Sequence, residues 1–304
     1  MGSGRWSEKD WTKYATASVV GKTTEKIYTK SSIDPNMDPK LIKIRESCDS
    51  DLNPQSTALI VAEDVTGSMS RVLDATIRGL STLVTEIYNR KPITDPHMMF
   101  MGVGDFECDR APLQVTQFEA DIRIAEQLAK IYLEQGGGGN TYESYAAAWY
   151  FAATRTAIDC FTKRGKKGYL FTVGDECPTP YLLAKDIKQF LGDEIQGDKI
   201  GVNELLTMVS RQYEVFHIMI EEGNYMRRNT DKVVKAWTEL LGQRAIRLSD
   251  CTKISEVIVS AIQVNEGTDF TSVVKSWDGS TAVAVENAVR GMVKGVENSA
   301  VVRL

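Results

Sequence analysis

"LIVAEDVTGSMSRVLDA", from Leu59 to Ala75, joins an apolar run ending in acid to a hydroxyl-rich turn that opens a helical pattern. Asp64, Thr66, Ser68 and Ser70 fall on alternate positions where a buried strand would end. The run "TALIVAED" (57–64) has the composition of a strand covered on both faces. Beyond it Leu73, Ile77, Leu80, Val84 and Ile87 recur at helical spacing. One strand followed by one helix is therefore the unit from which the rest of the chain is read.

The same unit repeats. "HMMFMGVGD" (97–105) reads as a strand, "APLQVTQF" (111–118) as a short edge strand, and "ADIRIAEQLAKIYLEQ" (120–135) as a helix. After the glycine run 136–139 come a helix through "ESYAAAWYFAATRTAIDCF" (143–161) and the strand "GYLFTVGDE" (168–176). Helical stretches near 179–192 and 201–212 follow, then the strand "EVFHIMIEE" (214–222), the helix "TDKVVKAWTELLG" (230–242), the strand "RAIRLSD" (244–250) and the helix "ISEVIVSAIQ" (254–263). Alternation of this kind predicts an α/β fold with a mostly parallel central sheet, one short antiparallel edge strand and helices on both faces. Ligands of such sheets bind outside the carboxyl ends of the strands, at the switch in strand order.

Two segments fall outside the alternation. Residues 1–55 carry little periodicity and read as an N-terminal extension packed on the domain or ordered by a partner. Residues 268–304 form a C-terminal tail whose helix puts Val285, Val289, Met292, Val293 and Val296 on one face, suited to docking on its own domain. The alternating region is then 56–267.

Composition bounds the function. With 304 residues, 42% hydrophobic and 25% charged, the chain is of ordinary globular make-up, and no apolar stretch is long enough to span a membrane. A net charge of −5 argues against a nucleic-acid partner, whose phosphates would require a basic face, although a net total leaves room for a local basic patch. The first twenty residues lack the apolar core of a secretion signal, and the five cysteines are widely spaced with no CxxC pair, which fits free thiols and a cytoplasmic location.

The chemistry gathers at three strand ends. Asp64-Val65-Thr66-Gly67-Ser68 is the first; "GGGGNTYES", with Asn140, Thr141 and Glu143, is the second; "VGDECP", with Asp175 and Glu176, is the third. If the first strand lies beside the fourth, these loops converge. Carboxylates and hydroxyls without thiolate or imidazole suit a hard divalent cation, and few acids with several hydroxyls suit Mg²⁺, with Mn²⁺ or Ca²⁺ as alternatives. Taken singly, each loop is also a common helix start, with Ser68, Ser70 or Thr141 as cap and Asp175 opening a turn.

Together, the three motifs resemble the von Willebrand factor A family and its metal-ion-dependent adhesion site. D-x-T-G-S at 64–68 is similar to the family's D-x-S-x-S, completed by Thr141 in the glycine-rich loop and Asp175 after the fourth long strand. The "DVTGSM" wording with a following glycine run and Glu is similar to the family's bacterial and protist branch, and the chain as a whole resembles its bacterial or phage-type stand-alone members. Thr66 replaces the first serine, and Gly174 stands where a threonine is common. The resemblance covers roughly 56–265. It implies a three-layer Rossmann-like fold, direct metal ligation by Thr66, Ser68 and Thr141, and ligation by Asp64 and Asp175 directly or through water. The open coordination position takes a carboxylate from a partner protein, and family members often belong to larger assemblies, including ones paired with ATPases.

Asp105, ending the second strand, is a candidate to hold the ligands in place from behind. Glu63 and Glu176 read as rim or helix-dipole residues, and His217 as a core histidine. "GKTT" (21–24) lacks the glycine of a phosphate loop, and Ser68 lacks the G-x-S-x-G of a hydrolase elbow. The expectation is a non-enzymatic, Mg²⁺-dependent interaction module. Its rivals are a structural subunit of a complex or virion, contacted through the terminal extensions, and a Mg²⁺-dependent hydrolase.

Overall fold

The computed structural model describes residues 3–134 and 141–293, apart from the side chains of Ser68 and Val293. Its centre is a six-stranded sheet. We label the strands β1 (Thr57–Asp64), β2 (Pro96–Val103), β3 (Leu113–Val115), β4 (Gly168–Gly174), β5 (Tyr213–Ile220) and β6 (Ala245–Leu248), in the spatial order β6-β5-β4-β1-β2-β3. All neighbours are parallel except β3, which runs antiparallel to β2 at the edge. The first strand thus lies beside the fourth, as the convergence of the loops requires, and the order reverses beside β1.

Both faces of β1 are covered, which is why its run is apolar throughout. Leu59, Val61 and Val65 pack beneath α1 (Ser70–Arg90) and the later helix Ile254–Asn265, while Ala58, Ile60 and Ala62 pack beneath α2 (Tyr145–Arg155) and α3 (Asn224–Leu241). The α1 stripe, Val72, Leu73, Ile77, Leu80, Val84 and Ile87, is buried as its spacing predicts. Lys91, left-handed at φ 52°, stops the helix by returning its N–H to the Ile87 carbonyl. Val285, Val289 and Met292 of the helix Gly279–Val293 are buried against the same domain; Val296 lies outside the described residues.

Four expected helical stretches differ. The one expected near 179–192 opens as a strand, Tyr181–Leu183, in an antiparallel hairpin with Lys199–Gly201, and is helical only over 184–191. The one expected over 120–135 spans only Arg123–Leu128, because the chain beyond it is drawn to the site through Glu134. The one expected over 143–161 ends at Arg155; Thr156–Ile158 is instead a strand paired with Arg45–Ser47. The one expected over 230–242 begins earlier, at Asn224, with non-helical backbone at Asn229.

Residues 33–47 act as a strap. The Val115 N–H donates to the Met37 carbonyl (2.9 Å), so the strap occupies the free edge of β3. Arg45 donates to the Val115 carbonyl, and Arg155 donates to the carbonyls of Pro39, Ile42 and Leu191 and to Asp193. Arg155→Met keeps the apolar stem but removes the guanidinium donors from those buried carbonyls, of which Pro39 keeps only the Ile42 N–H. It should cost about 2 kcal/mol in urea unfolding, with protease cutting appearing first within the strap.

Candidate functional site

β1 ends by delivering Asp64 to the face that carries α2, with no exposed surface. Val65 continues the β1–β2 ladder by one bond, its N–H reaching the Val103 carbonyl. The chain then turns so that Asp64 Oδ1 accepts from both the Thr66 N–H (2.8 Å) and the Thr66 hydroxyl (2.6 Å). Gly67, at φ +28°, permits the turn into the short helix Gly67–Met69. The Ser68 side chain lies outside the described residues.

The second loop brings in an acid that the motif reading left out of the ligand set. Tyr142–Glu143 pairs in parallel with Cys177–Pro178, and this pairing turns Glu143 inward. Glu143 is 3% exposed, and the Thr66 hydroxyl lies 3.4 Å from its Oε1. Thr141 is half-buried at the rim, where its hydroxyl accepts from Lys232 Nζ (3.2 Å). Asn140 lies outside the described residues. The only signal for Glu143 was its place three residues after Asn140, in the same loop as Thr141.

Asp175 follows β4 at 3% exposure, and its Oδ2 accepts from the Tyr225 N–H (2.9 Å) in the first turn of α3. The positive end of a helix therefore faces the site. Gly223 has to be glycine here, because a Cβ would lie 2.2 Å from the Asp175 side chain. Tyr145, the first residue of α2, places its hydroxyl 3.4 Å from Asp64 Oδ2 and 3.5 Å from the Glu176 N–H. A Cβ on Gly174 would lie 1.8 Å from that hydroxyl, so Gly174, where the resemblance expects threonine, makes room for a phenol.

The remaining acids close the rear. Asp105 is 2% exposed and its Oδ1 accepts from the Glu107 N–H, while Asp109 accepts from the Asp105 N–H. Glu134 forms a β-bridge with Thr66 and accepts from the N–H groups of Arg110 and Ala111. Glu63 points to the opposite face, under α1, where Thr76 donates to it. His97 and His217 are fully buried and bonded to Ser47 and Thr172, so both are core residues.

The site's electrostatics are those of crowded, desolvated negative charge. Burial raises the Asp64 carboxyl; the Thr66 hydrogen bonds oppose this, and Asp175 and Glu176 add to it. Glu143 is raised by burial and then by Asp64, Glu176, Asp109 and Asp105. Burial raises Asp175, and Glu176 is pushed up to about 7 by burial and the charge of Asp175. Glu143 Oε2 and Glu176 Oε2 are sealed from solvent without a hydrogen-bond partner among the described residues.

An all-oxygen set with stranded carboxylate oxygens fits a hard divalent cation. Among the described residues no three His, Cys, Asp or Glu side chains form a ready metal cluster. A cation here would therefore lean on hydroxyl and water ligands, as Mg²⁺ does. No helix among the described residues is long and apolar enough to cross a membrane.

No family model matches the sequence, and no curated protein matches it. Among solved structures, the chain is similar to the pilus adhesin SpaC from Lactobacillus rhamnosus GG in its open conformation, at 10% identity and a TM-score of 0.47 over 73% of this chain and 31% of that one. It is similar to a von Willebrand factor type A protein from Catenulispora acidiphila (14% identity, TM-score 0.39, 70% of this chain and 43% of that one). It is also similar to the conserved hypothetical protein BatB from Bacteroides thetaiotaomicron (15% identity, TM-score 0.40, 70% of this chain and 100% of that one). The chain thus spans about a third of the adhesin's length.

Proposed function

We propose that the chain is a non-enzymatic, Mg²⁺-dependent protein-interaction module, of the kind its resemblance to von Willebrand factor A domains implies. The observation that carries this reading is the buried pair Asp64 and Glu143, both within reach of the Thr66 hydroxyl, with Glu143 Oε2 lacking a hydrogen-bond partner among the described residues. Negative charge held out of water is costly unless a cation shares the space.

Asp64, Thr66, Ser68 and Glu143 would hold the ion, with Asp175 reached directly or through water and Thr141 at the rim. A bound Mg²⁺ supplies fixed positive charge and an open coordination position for a carboxylate of a partner protein. Around it the residues of this chain act as a scaffold. Tyr145 and Thr66 fix Asp64, and the N-terminus of α3 fixes Asp175. The partner is an acidic protein surface or segment, and the setting is a multi-subunit assembly.

Isothermal titration of Mg²⁺ into the protein and into Asp64→Asn tests the reading. The unaltered protein should bind one ion saturably, and the variant should bind at least about 100-fold more weakly, because it loses the charge of a direct or water-bridged ligand. Heat signals that do not differ between the two proteins would sink the proposal.

A further inference from the structure

Beside the candidate metal site, on the same side of the sheet, lies a groove of about 240 Å³ between the 105–107 loop, the 142–144 segment and the hairpin that follows Pro178. Its apolar walls include Phe106, Tyr142 and Leu182, and Tyr181 stands at its mouth with 39% of its surface exposed. Asp105, Glu107 and Asp186 also line it, and among the described residues no lysine, arginine or histidine does. The Thr179 hydroxyl, on the same lining, is buried and has no hydrogen-bond partner among the described residues. Two of the rings already attract cations: Lys199 Nζ lies 4.5 Å from the Tyr181 centroid, and Lys232 Nζ lies 5.4 Å from that of Tyr142.

We propose that this groove receives a cationic side chain, arginine in preference to lysine, from the same partner whose carboxylate the neighbouring metal centre takes. Charge complementarity selects the occupant, since three acids and exposed aromatic surface together favour a group that is both cationic and able to stack. A guanidinium is planar, forks to carboxylates and is weakly hydrated, so it suits such walls better than an ammonium. The acids crowd one another: burial raises the Asp186 carboxyl, Lys185 opposes this, and Glu107 and Asp105 add to it. The groove and the metal site share the 142–144 segment, with Glu143 facing one and Tyr142 and Ser144 the other. The partner's recognition element is then an acidic residue with a basic residue close by in space. The link to a common partner rests on the interaction-module reading; the groove's preference for a cation does not.

The test uses the full chain, labelled with ¹⁵N, titrated with N-acetyl-arginine amide and with N-acetyl-citrulline amide, which has the same shape without the charge. The arginine probe should shift the amides of 105–107, 142–144 and 179–186 saturably. Citrulline should bind at least about fivefold more weakly, and the Glu107→Gln/Asp186→Asn double variant should lose that difference. Equal shifts from both probes, shifts elsewhere only, or none up to about 50 mM would overturn the proposal. The double variant should still take up Mg²⁺ as the unaltered protein does, and Asp64→Asn should still bind the arginine probe. Failure of the groove and failure of the metal site are therefore read separately.

Discussion

Without divalent cations at pH 8, Glu143→Gln should melt about 5 °C above the unaltered protein, and adding Mg²⁺ should reverse the order. The variant removes a carboxylate whose charge is opposed by burial and by Asp64, Glu176, Asp109 and Asp105, and whose Oε2 has no hydrogen-bond partner among the described residues. In the metal-free protein such a group is a liability. Mg²⁺ at 1,000 times its Kd would add about 4.1 kcal/mol to the unaltered protein, or roughly 6 °C for a chain of this length, and much less to the variant.

The pH dependence has a definite sign. Asp64, Glu143, Asp175 and Glu176 all have carboxyls raised above their ordinary values, Glu176 to about 7. A group raised on folding contributes stability that is complete below its unfolded value and is lost as pH climbs through its folded value. Below about pH 6.5 the buried neutral His97 and His217 act in the opposite sense, so the decline is read above it: metal-free protein should lose stability from about pH 6.5 upward, and saturating Mg²⁺ should flatten that decline. Calorimetric scans at pH 6.5, 7.5 and 8.5, with and without chelator, measure both effects. A metal-free melting temperature that rises across this range would remove the electrostatic basis of the site.

Gly174→Ala should be strongly destabilising for a single added methyl group. Its Cβ would sit 1.8 Å from the Tyr145 hydroxyl, in a ring that is itself wedged edge-on against His217 and Trp237 at 5.0 and 5.5 Å. The phenol cannot retreat, so β4 or α2 has to shift. The cost should reach about 3 kcal/mol, the upper range for overpacking, and Mg²⁺ affinity should fall with it, because Asp64 Oδ2 loses its neighbour. Combining Gly174→Ala with Tyr145→Phe separates the two effects. The double variant should regain part of the stability but little of the affinity.

Much of this arrangement is legible in the chain. The sheet follows from apolar runs at β1, β2, β4 and β5, because strands covered on both faces must be apolar throughout. The pairing of Asp64 with Thr66 follows from their spacing across a tight turn. What the sequence hides is set by contacts between distant segments. Glu143 rather than Thr141 reaches Thr66 because Tyr142–Glu143 pairs with Cys177–Pro178, and nothing local to "GGGGNTYES" encodes that. The expected helix through Glu134 yields to a β-bridge with Thr66 for the same reason. Gly174 looks like a lost hydroxyl in sequence, and only the position of Tyr145 shows that it is a vacancy another side chain fills.

The strap over β3 carries a consequence for self-association. An uncovered edge strand is a template on which a second chain can lay its own backbone, and in this fold the Val115 N–H that would start such a zipper is already taken by Met37. Growth of the sheet from that side requires the strap to peel away first, which means breaking the Arg45 and Arg155 anchors. Residues 33–47 thus work as a built-in guard against runaway stacking.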